Sequence, residues 1–222
     1  DEQAKSNQFL YNTSAEFYEH MNAEQKAIFD HAISCIQQWE EADHVYDPNR
    51  PQVMPLRLYV GGKAGTGKSF LIQALSLAID ELYARRDDQG EFTESCVVRM
   101  GPTGVCASSI NGSTIHSVLK ISIQKREGEQ EQDKLRDHDV LAMREVYGRK
   151  KLFMLDELSM VSNVTMAKID GRLNQIYRTR PDSDLPDNCT VLGGQHMILF
   201  GHFMQLAPVV TGEKGDATGF VF

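Results

Sequence analysis

The chain has 222 residues, 41% of them hydrophobic, and a formal net charge of -8. That is enough for a sizeable core in one or two domains, and the acidic balance leaves nucleic-acid binding only to a local groove rather than to bulk charge. No apolar run approaches the roughly 20 residues that cross a bilayer, so no membrane partner is expected.

Four cysteines (Cys35, Cys96, Cys106, Cys189) lie far apart, with no Cys-x-x-Cys pair and no His at metal spacing. A reducing intracellular compartment is the simplest reading. The chain opens on Asp1-Glu2-Gln3-Ala4-Lys5, which is not a signal peptide and lacks an initiator Met. It reads as a piece of something longer.

In chain order, Asn22 precedes a helix-like stretch and Gln25 stands three residues on. This is close to a capping box, with Met21 placed to staple the turn. Residues 56–60 form a short strand-like run. They lead into Gly62-Lys63-Ala64-Gly65-Thr66-Gly67-Lys68-Ser69, which fits the phosphate-binding pattern G-x-x-x-x-G-K-[ST], and a helix-like stretch follows over 69–83. The pattern carries meaning between a strand and a helix, and that is where it sits. Glycines let consecutive backbone N–H groups turn inward onto phosphate oxygens, and the helix beginning near Lys68 adds the positive end of its dipole. Gly62, Ala64, Gly65, Thr66 and Gly67 would cradle the phosphates of ATP. Lys68 would reach the β- and γ-phosphates, and the Ser69 hydroxyl would ligate Mg²⁺. A glycine-rich turn that binds nothing is the bland alternative, and the Lys-Ser pair argues against it.

Further along, 84–95 reads as a surface loop and 96–100 as a second strand. Helix-like segments follow at 104–110 and 114–120, then a charged stretch at 124–136 that leads into a helix over 134–147. The third strand, 151–155, ends on Asp156-Glu157. Asp156 is placed to hold Mg²⁺, and Glu157 to orient or deprotonate an attacking water. An acidic pair that merely ends a strand is common, but a phosphate loop in the same sheet favours the catalytic reading. A helix at 163–177, a polar loop at 178–190 and a fourth strand at 196–200 complete the pattern. Strands alternating with helices predict an α/β fold, a parallel sheet with helices on both faces.

Five segments together resemble one family. Met21-Asn22-Ala23-Glu24-Gln25-Lys26-Ala27-Ile28-Phe29 is similar to an L-N-x-E-Q-x-x-A-F opening. Gly101-Pro102-Thr103-Gly104-Val105-Cys106-Ala107 is similar to P-T-G-x-A-A, and Gly112-Ser113-Thr114-Ile115-His116-Ser117 to G-x-T-[IL]-H-[SR]. Asp156-Glu157-Leu158-Ser159-Met160-Val161 is similar to D-E-[IV]-S-M-[VI]. The run Gly193 to Val209 is similar to G-G-x-x-x-I-x-x-G-D-F-x-Q-L-P-P-V. These are segments of the Pif-type DNA helicases, superfamily-one motors moving 5′ to 3′ along single-stranded DNA. The wording around Gly112–His116 also resembles the helicases carried by Helitron transposons.

The resemblance implies a RecA-like P-loop NTPase domain over residues 21–222, with 1–20 as an N-terminal extension. It implies work in DNA repair, recombination and telomere maintenance, in the nucleus or in the mitochondrion. It assigns adenine contact to Gln25, beside that residue's capping role, and γ-phosphate sensing to Gln205. It assigns contact with single-stranded DNA to Pro102, Thr103, Gly104, Thr114 and His116, though His116 also suits a helix start. Trp39, Phe9 and Phe17 read as packing residues.

The sequence departs from the family pattern at His202, where the pattern has Asp, at Ala207, where it has the first of two prolines, and in a minor way at Leu158, where it has a β-branched residue. A histidine in the loop between γ-phosphate and DNA puts coupling in question and leaves ATP binding intact. The chain ends at Phe222, where the family continues into a second RecA-like domain that supplies arginines to the γ-phosphate. An arginine finger contributes about a thousandfold in rate. The expectation is a chain that binds Mg-ATP, hydrolyses it slowly and unwinds nothing by itself. A non-helicase P-loop ATPase or kinase, and a nucleotide-binding module without catalysis, are the rival readings.

Overall fold

A computed structural model describes residues 11–42, 53–121, 135–177 and 191–202. Gln205, Ala207, Phe9, Cys189, the loop 178–190 and most of the charged stretch 124–136 lie outside the described residues.

Fourteen described elements alternate along the chain. Helices α1 (Ser14–Glu19) and α2 (Ala23–Glu41) come first, then β1 (Arg57–Gly61), α3 (Lys68–Tyr83), β2 (Val97–Gly101), α4 (Gly104–Ser109), β3 (Ser113–Thr114) and α5 (Ile115–Leu119). Helix α6 (Asp137–Tyr147), β4 (Leu152–Leu155), a 3₁₀ turn (Leu158–Met160), α7 (Asn163–Tyr177), a second 3₁₀ turn (Val191–Gly194) and β5 (His196–Gly201) follow. The sheet order is β1-β5-β4-β2-β3, and all four pairings are parallel. The expected strands stand within a residue of their predicted positions. The two-residue β3 has too little apolar sequence to announce itself.

Both faces of the sheet are covered, because the strands alternate their apolar side chains. Leu152, Met154, Ile198 and Phe200 point to a core shared with α1, α2 and α3. Phe153, Leu155, Met197, Val98 and Met100 point to a second core under α5, α6 and α7. All four residues of β4 are buried, as a strand covered on both sides requires.

Helix α2 starts on a full capping box: Asn22 Oδ1 accepts from the Gln25 N–H at 2.9 Å, and Gln25 Oε1 accepts from the Asn22 N–H at 3.1 Å. Met21 beside it is buried. Helix α1 lies in the stretch read as an extension, yet its Phe17 is fully buried in the first core and it packs on α3.

Asp80 and His196 are buried polar side chains that hydrogen-bond to backbone N–H groups at strand starts. Asp80 accepts from the Cys96 N–H at 2.6 Å and the Ser95 hydroxyl at 3.1 Å, tying α3 to the start of β2. Burial pushes its carboxyl above the usual value, against the lowering effect of those hydrogen bonds and of the Arg99 and Lys150 charges. His196 Nδ1 accepts from the Leu56 N–H at 2.8 Å, fixing the entry to β1. Among the described residues no helix is long and apolar enough to cross a membrane, and Cys35, Cys96 and Cys106 are free thiols.

Candidate functional site: a nucleotide cleft and an adjoining groove

The loop after β1 folds as its glycines dictate. Gly65 and Gly67 take φ of 81° and 85°, the left-handed region that a side chain would strain. Gly67 is the N-cap of α3 and offers no side-chain hydrogen bond to the first turn. Those N–H groups are therefore free to meet an anion, with the helix dipole aligned behind them. Lys68 Nζ donates to the carbonyls of Gly62 at 2.6 Å and Lys63 at 3.1 Å, so its ammonium lies inside the loop. Thr66 Oγ1 donates to the Lys63 carbonyl at 2.9 Å.

Gln25 does two things at once. Beside its capping bond, its Nε2 donates to the Thr66 carbonyl at 3.2 Å. A Cβ built on Gly67 would come within 2.4 Å of that Nε2. The amide thus couples the start of α2 to the phosphate loop. It retains one N–H and one lone pair for a further partner.

Across from the loop, β4 delivers Asp156 to its C-terminal end, where open α/β sheets present their ligand sites. Asp156 is only 5% exposed. Its Oδ1 accepts from the Glu157 N–H at 2.9 Å. Burial pushes its carboxyl above the usual value; the Glu157 N–H and Lys68 pull it down, and the Glu157 charge adds to the rise. Glu157 itself takes φ 53° and ψ 47°, one of four non-glycine residues with positive φ among the described residues. Such backbone outliers cluster at functional sites.

These groups share a cleft of about 450 Å³. Ala64, Gly65, Gly67, Lys68 and Ser69 line one side, Asp156 and Glu157 the other. Phe70, Val105, Cys106 and Ser109 complete the wall. Gly62 and Thr66 are engaged inside the loop rather than on the cleft surface. Cys106 stands where the segment it resembles has Ala, and its Sγ accepts from Thr103 Oγ1 at 3.1 Å. Sequence spacing did not reveal the α4 side of the wall. A six-residue helix has no usable periodicity, and only the β2–α4 turn brings it over the loop.

The donor set suits Mg²⁺ with a triphosphate. Among the described residues no group of three or more His, Cys, Asp or Glu could hold a metal alone. Mg²⁺ takes one or two carboxylates and completes its shell with phosphate oxygens and water. Asp156, buried and aimed at a lysine-bearing anion cradle, fits that chemistry with Ser69.

A groove of about 500 Å³ lies on the other side of α4. Gly104, Ala107 and Ser108 of α4, the Asn111–Thr114 turn and Ser117 line it. Thr114 caps α5, accepting from the Ser117 N–H at 3.3 Å, and its hydroxyl lies 2.9 Å from Ser117 Oγ. Thr103 caps α4 in the same way through the Cys106 N–H. Of the residues that the resemblance assigned to DNA, Gly104 and Thr114 line the groove. Pro102, Thr103 and His116 do not. Gly112 is required where it stands: a Cβ there would meet the Arg99 carbonyl oxygen at 2.4 Å. His202 follows β5 directly and is half-buried.

A parallel five-stranded sheet with a glycine cradle at one strand end and a buried carboxylate at another defines a RecA-like P-loop NTPase domain. Solved structures share the fold. A Bacteroides sp. Pif1 in complex with ADP-AlF4 superposes with a TM-score of 0.55 over 88% of this chain and 34% of that one, at 23% identity. Pif1 helicase from Candida albicans gives 0.54 over 86% and 34%, at 21% identity. The sequence is more specific: the family profile of the PIF1-like helicases matches residues 20–221. The chain belongs to the PIF1-like helicase family. The ATP-dependent DNA helicase RRM3 of Saccharomyces cerevisiae is 30% identical over 166 residues, 74% of this chain and 20% of that protein. The ATP-dependent DNA helicase PIF1 of Emericella nidulans is 28% identical over 160 residues, 72% and 19%. The chain spans about a fifth of the length of these curated relatives.

Proposed function

We propose that this chain is the first, nucleotide-binding motor domain of an ATP-dependent DNA helicase that moves 5′ to 3′ on single-stranded DNA. The observation that carries this reading is the cleft itself: an uncapped helix start bearing Lys68 faces the buried Asp156. The N–H groups of the loop and Lys68 bind the phosphates. Ser69 and Asp156 would hold Mg²⁺, which supplies charge neutralisation between phosphate oxygens when bound. Glu157 orients and takes the proton of the attacking water. Gln25 reads the adenine edge, and Gln205 is assigned the γ-phosphate contact by resemblance.

The groove takes the DNA strand. Hydroxyls and backbone N–H groups suit phosphate oxygens, and α4 separates strand from nucleotide by one helix diameter. Pro102, Thr103 and His116 would then act by shaping this wall rather than by lining it. The second RecA-like domain of the parent protein would close the cleft, and the motor domain, set at 21–222 by resemblance, would also take in helix α1, whose Phe17 is buried in its core. Action on DNA implies an intracellular, nuclear or mitochondrial setting. The Helitron-borne branch of the family rests on sequence wording alone.

The test is steady-state ATP hydrolysis by the parent protein, with and without single-stranded DNA. Stimulation by DNA that vanishes in Lys68→Ala is the expected result; DNA-independent hydrolysis would favour another P-loop ATPase. A module without catalysis is the second reading, favoured by His202 in place of an acidic residue. Recovery of hydrolysis in His202→Asp would support it.

A further inference from the structure

We propose that Tyr147 of α6 and Arg172 of α7 are positioning residues for the groove: they hold α5 by the carbonyls at its C-terminal end and so set the Thr114 and Ser117 hydroxyls where a DNA strand meets them. The proposal rests on the reading of the groove as the DNA site and names residues outside it that set its shape. Helix α5 has five residues, far below the roughly 12–15 at which a helix is stable by itself. Its last carbonyls find no partner within so short a helix. Two donors arrive from elsewhere. Tyr147 Oη donates to the Val118 carbonyl at 2.8 Å, and Arg172 Nη2 donates to the Lys120 carbonyl at 3.3 Å. Val118 directly follows Ser117, which lines the groove, so the tyrosine acts one residue away from the hydroxyl it positions.

Ile115, Val118 and Leu119 bury one face of α5 in the second core, but apolar burial is non-directional and would let a single turn roll or slide. Hydrogen bonds to two of its carbonyls are directional and remove that freedom. The orientation matters because Thr114 pairs with Gly101 in the sheet while Ser117 moves with the helix. Rolling α5 would part their hydroxyls, which lie 2.9 Å from each other. The clamp is itself braced. Arg144 Nε of α6 donates to the Ile176 carbonyl at 2.6 Å, and Tyr177 Oη of α7 donates to the Tyr147 carbonyl at 2.7 Å. Each helix thus serves the C-terminal end of the other. Arg172 is buried, and its Nη1 donates to Gln175 Oε1 at 2.9 Å, which fixes the guanidinium plane. Burial raises the Tyr147 hydroxyl above its ordinary value, so it stays a donor at neutral pH.

The test uses the parent protein and a fluorescein-labelled oligothymidine strand, read by anisotropy, with Mg-ATP affinity and basal hydrolysis measured alongside. Tyr147→Phe keeps the ring in the core and removes one donor. It should weaken DNA binding about three- to tenfold, the range of one lost hydrogen bond. The DNA concentration that half-maximally stimulates hydrolysis should rise by the same factor, while basal hydrolysis and Mg-ATP affinity stay unchanged. Arg172→Lys keeps the charge but cannot span Gln175 and Lys120 together, and should act in the same direction. In a Ser117→Ala background Tyr147→Phe should weaken DNA binding less than it does in the unaltered protein, because the two act through one hydroxyl. An equal loss in both backgrounds would overturn the proposal. So would a parallel loss of Mg-ATP affinity, which marks a general packing role. DNA affinity that falls in Ser117→Ala and Thr114→Ala but not in Tyr147→Phe or Arg172→Lys removes the clamp alone. Unchanged affinity in Ser117→Ala and Thr114→Ala removes the groove reading and the clamp with it.

Discussion

The cleft and the groove lie against different faces of the same six-residue helix, α4, and are made of different chemistry. Val105, Cys106 and Ser109 face the cleft, whose other walls carry Lys68, Asp156 and Glu157. Gly104, Ala107 and Ser108 face the groove, whose lining has hydroxyls, an amide and glycines but no charged side chain. One region is electrostatic and the other is a close-fitting surface of neutral donors. If the groove takes the DNA strand and the cleft the triphosphate, as proposed, an acidic chain holds polyanions without a basic patch: charge is concentrated where phosphate is dense, and backbone approach serves where it is spaced out.

The sharpest way to break this contrast is Lys68→Ala. It should lower ATP hydrolysis by the parent protein about a hundred- to a thousandfold, the scale of removing one preorganised donor to developing charge. DNA binding without nucleotide should be untouched, as fluorescence anisotropy with a labelled single strand would read. Loss of both would mean that the two regions are one site.

Gly112→Ala attacks the groove alone. The new Cβ would meet the Arg99 carbonyl oxygen at 2.4 Å, and forcing β2 and the turn apart should cost about 1–3 kcal/mol. Urea denaturation should show the loss, while Mg-ATP affinity survives in the folded fraction. An unchanged midpoint would contradict the close approach.

A smaller effect is expected from Thr114→Ala. It removes a cap worth about 1 kcal/mol of stability, and DNA affinity should fall about fivefold if the hydroxyl donates to a phosphate. The salt dependence of DNA binding should not change, since no cation is removed. A shallower slope in the variant would show that the groove recruits charge from elsewhere.

Asp80 and Asp156 sharpen the contrast at its finest grain. Burial raises both carboxyls, but only Asp156 opens on the cleft. For Asp80 the folded value lies above the unfolded one of about 3.9. Its contribution to stability is therefore complete below that value and is lost as pH rises through the folded value. Urea midpoints from pH 3.5 upward should fall less steeply in Asp80→Asn than in the unaltered chain, whether or not Mg-ATP is present. Parallel curves would mean that Asp80 does not titrate differently on folding.

Much of the cleft was legible in the sequence because its chemistry is local. The phosphate loop needs a strand, glycines with positive φ, Lys and Ser in one contiguous stretch, and residues 56–69 contain all of it. Asp156 was legible because it directly follows a fully apolar strand, read together with the phosphate loop; an acidic strand end alone is common. The capping box at Asn22–Gln25 was legible for the same reason, since its partners stand three residues apart.

The groove was less legible, because its members come from a short helix, a turn and a two-residue strand whose meeting depends on Gly112 lying against Arg99. The role of residues 11–20 was hidden too. Phe17 reads as a packing residue, but only the folding of α1 back onto α3 places it against Phe70.

The sequence by itself determined the α/β order, the phosphate loop and the acidic strand end. Each is a pattern among neighbours, where spacing and residue type fix the backbone directly. Only the tertiary structure decided which wall faces the loop, that α4 divides two sites, and that Tyr147 and Arg172 reach the end of α5. Those contacts join residues far apart in the chain, and burial of the two cores on either face of the sheet sets them rather than any local preference.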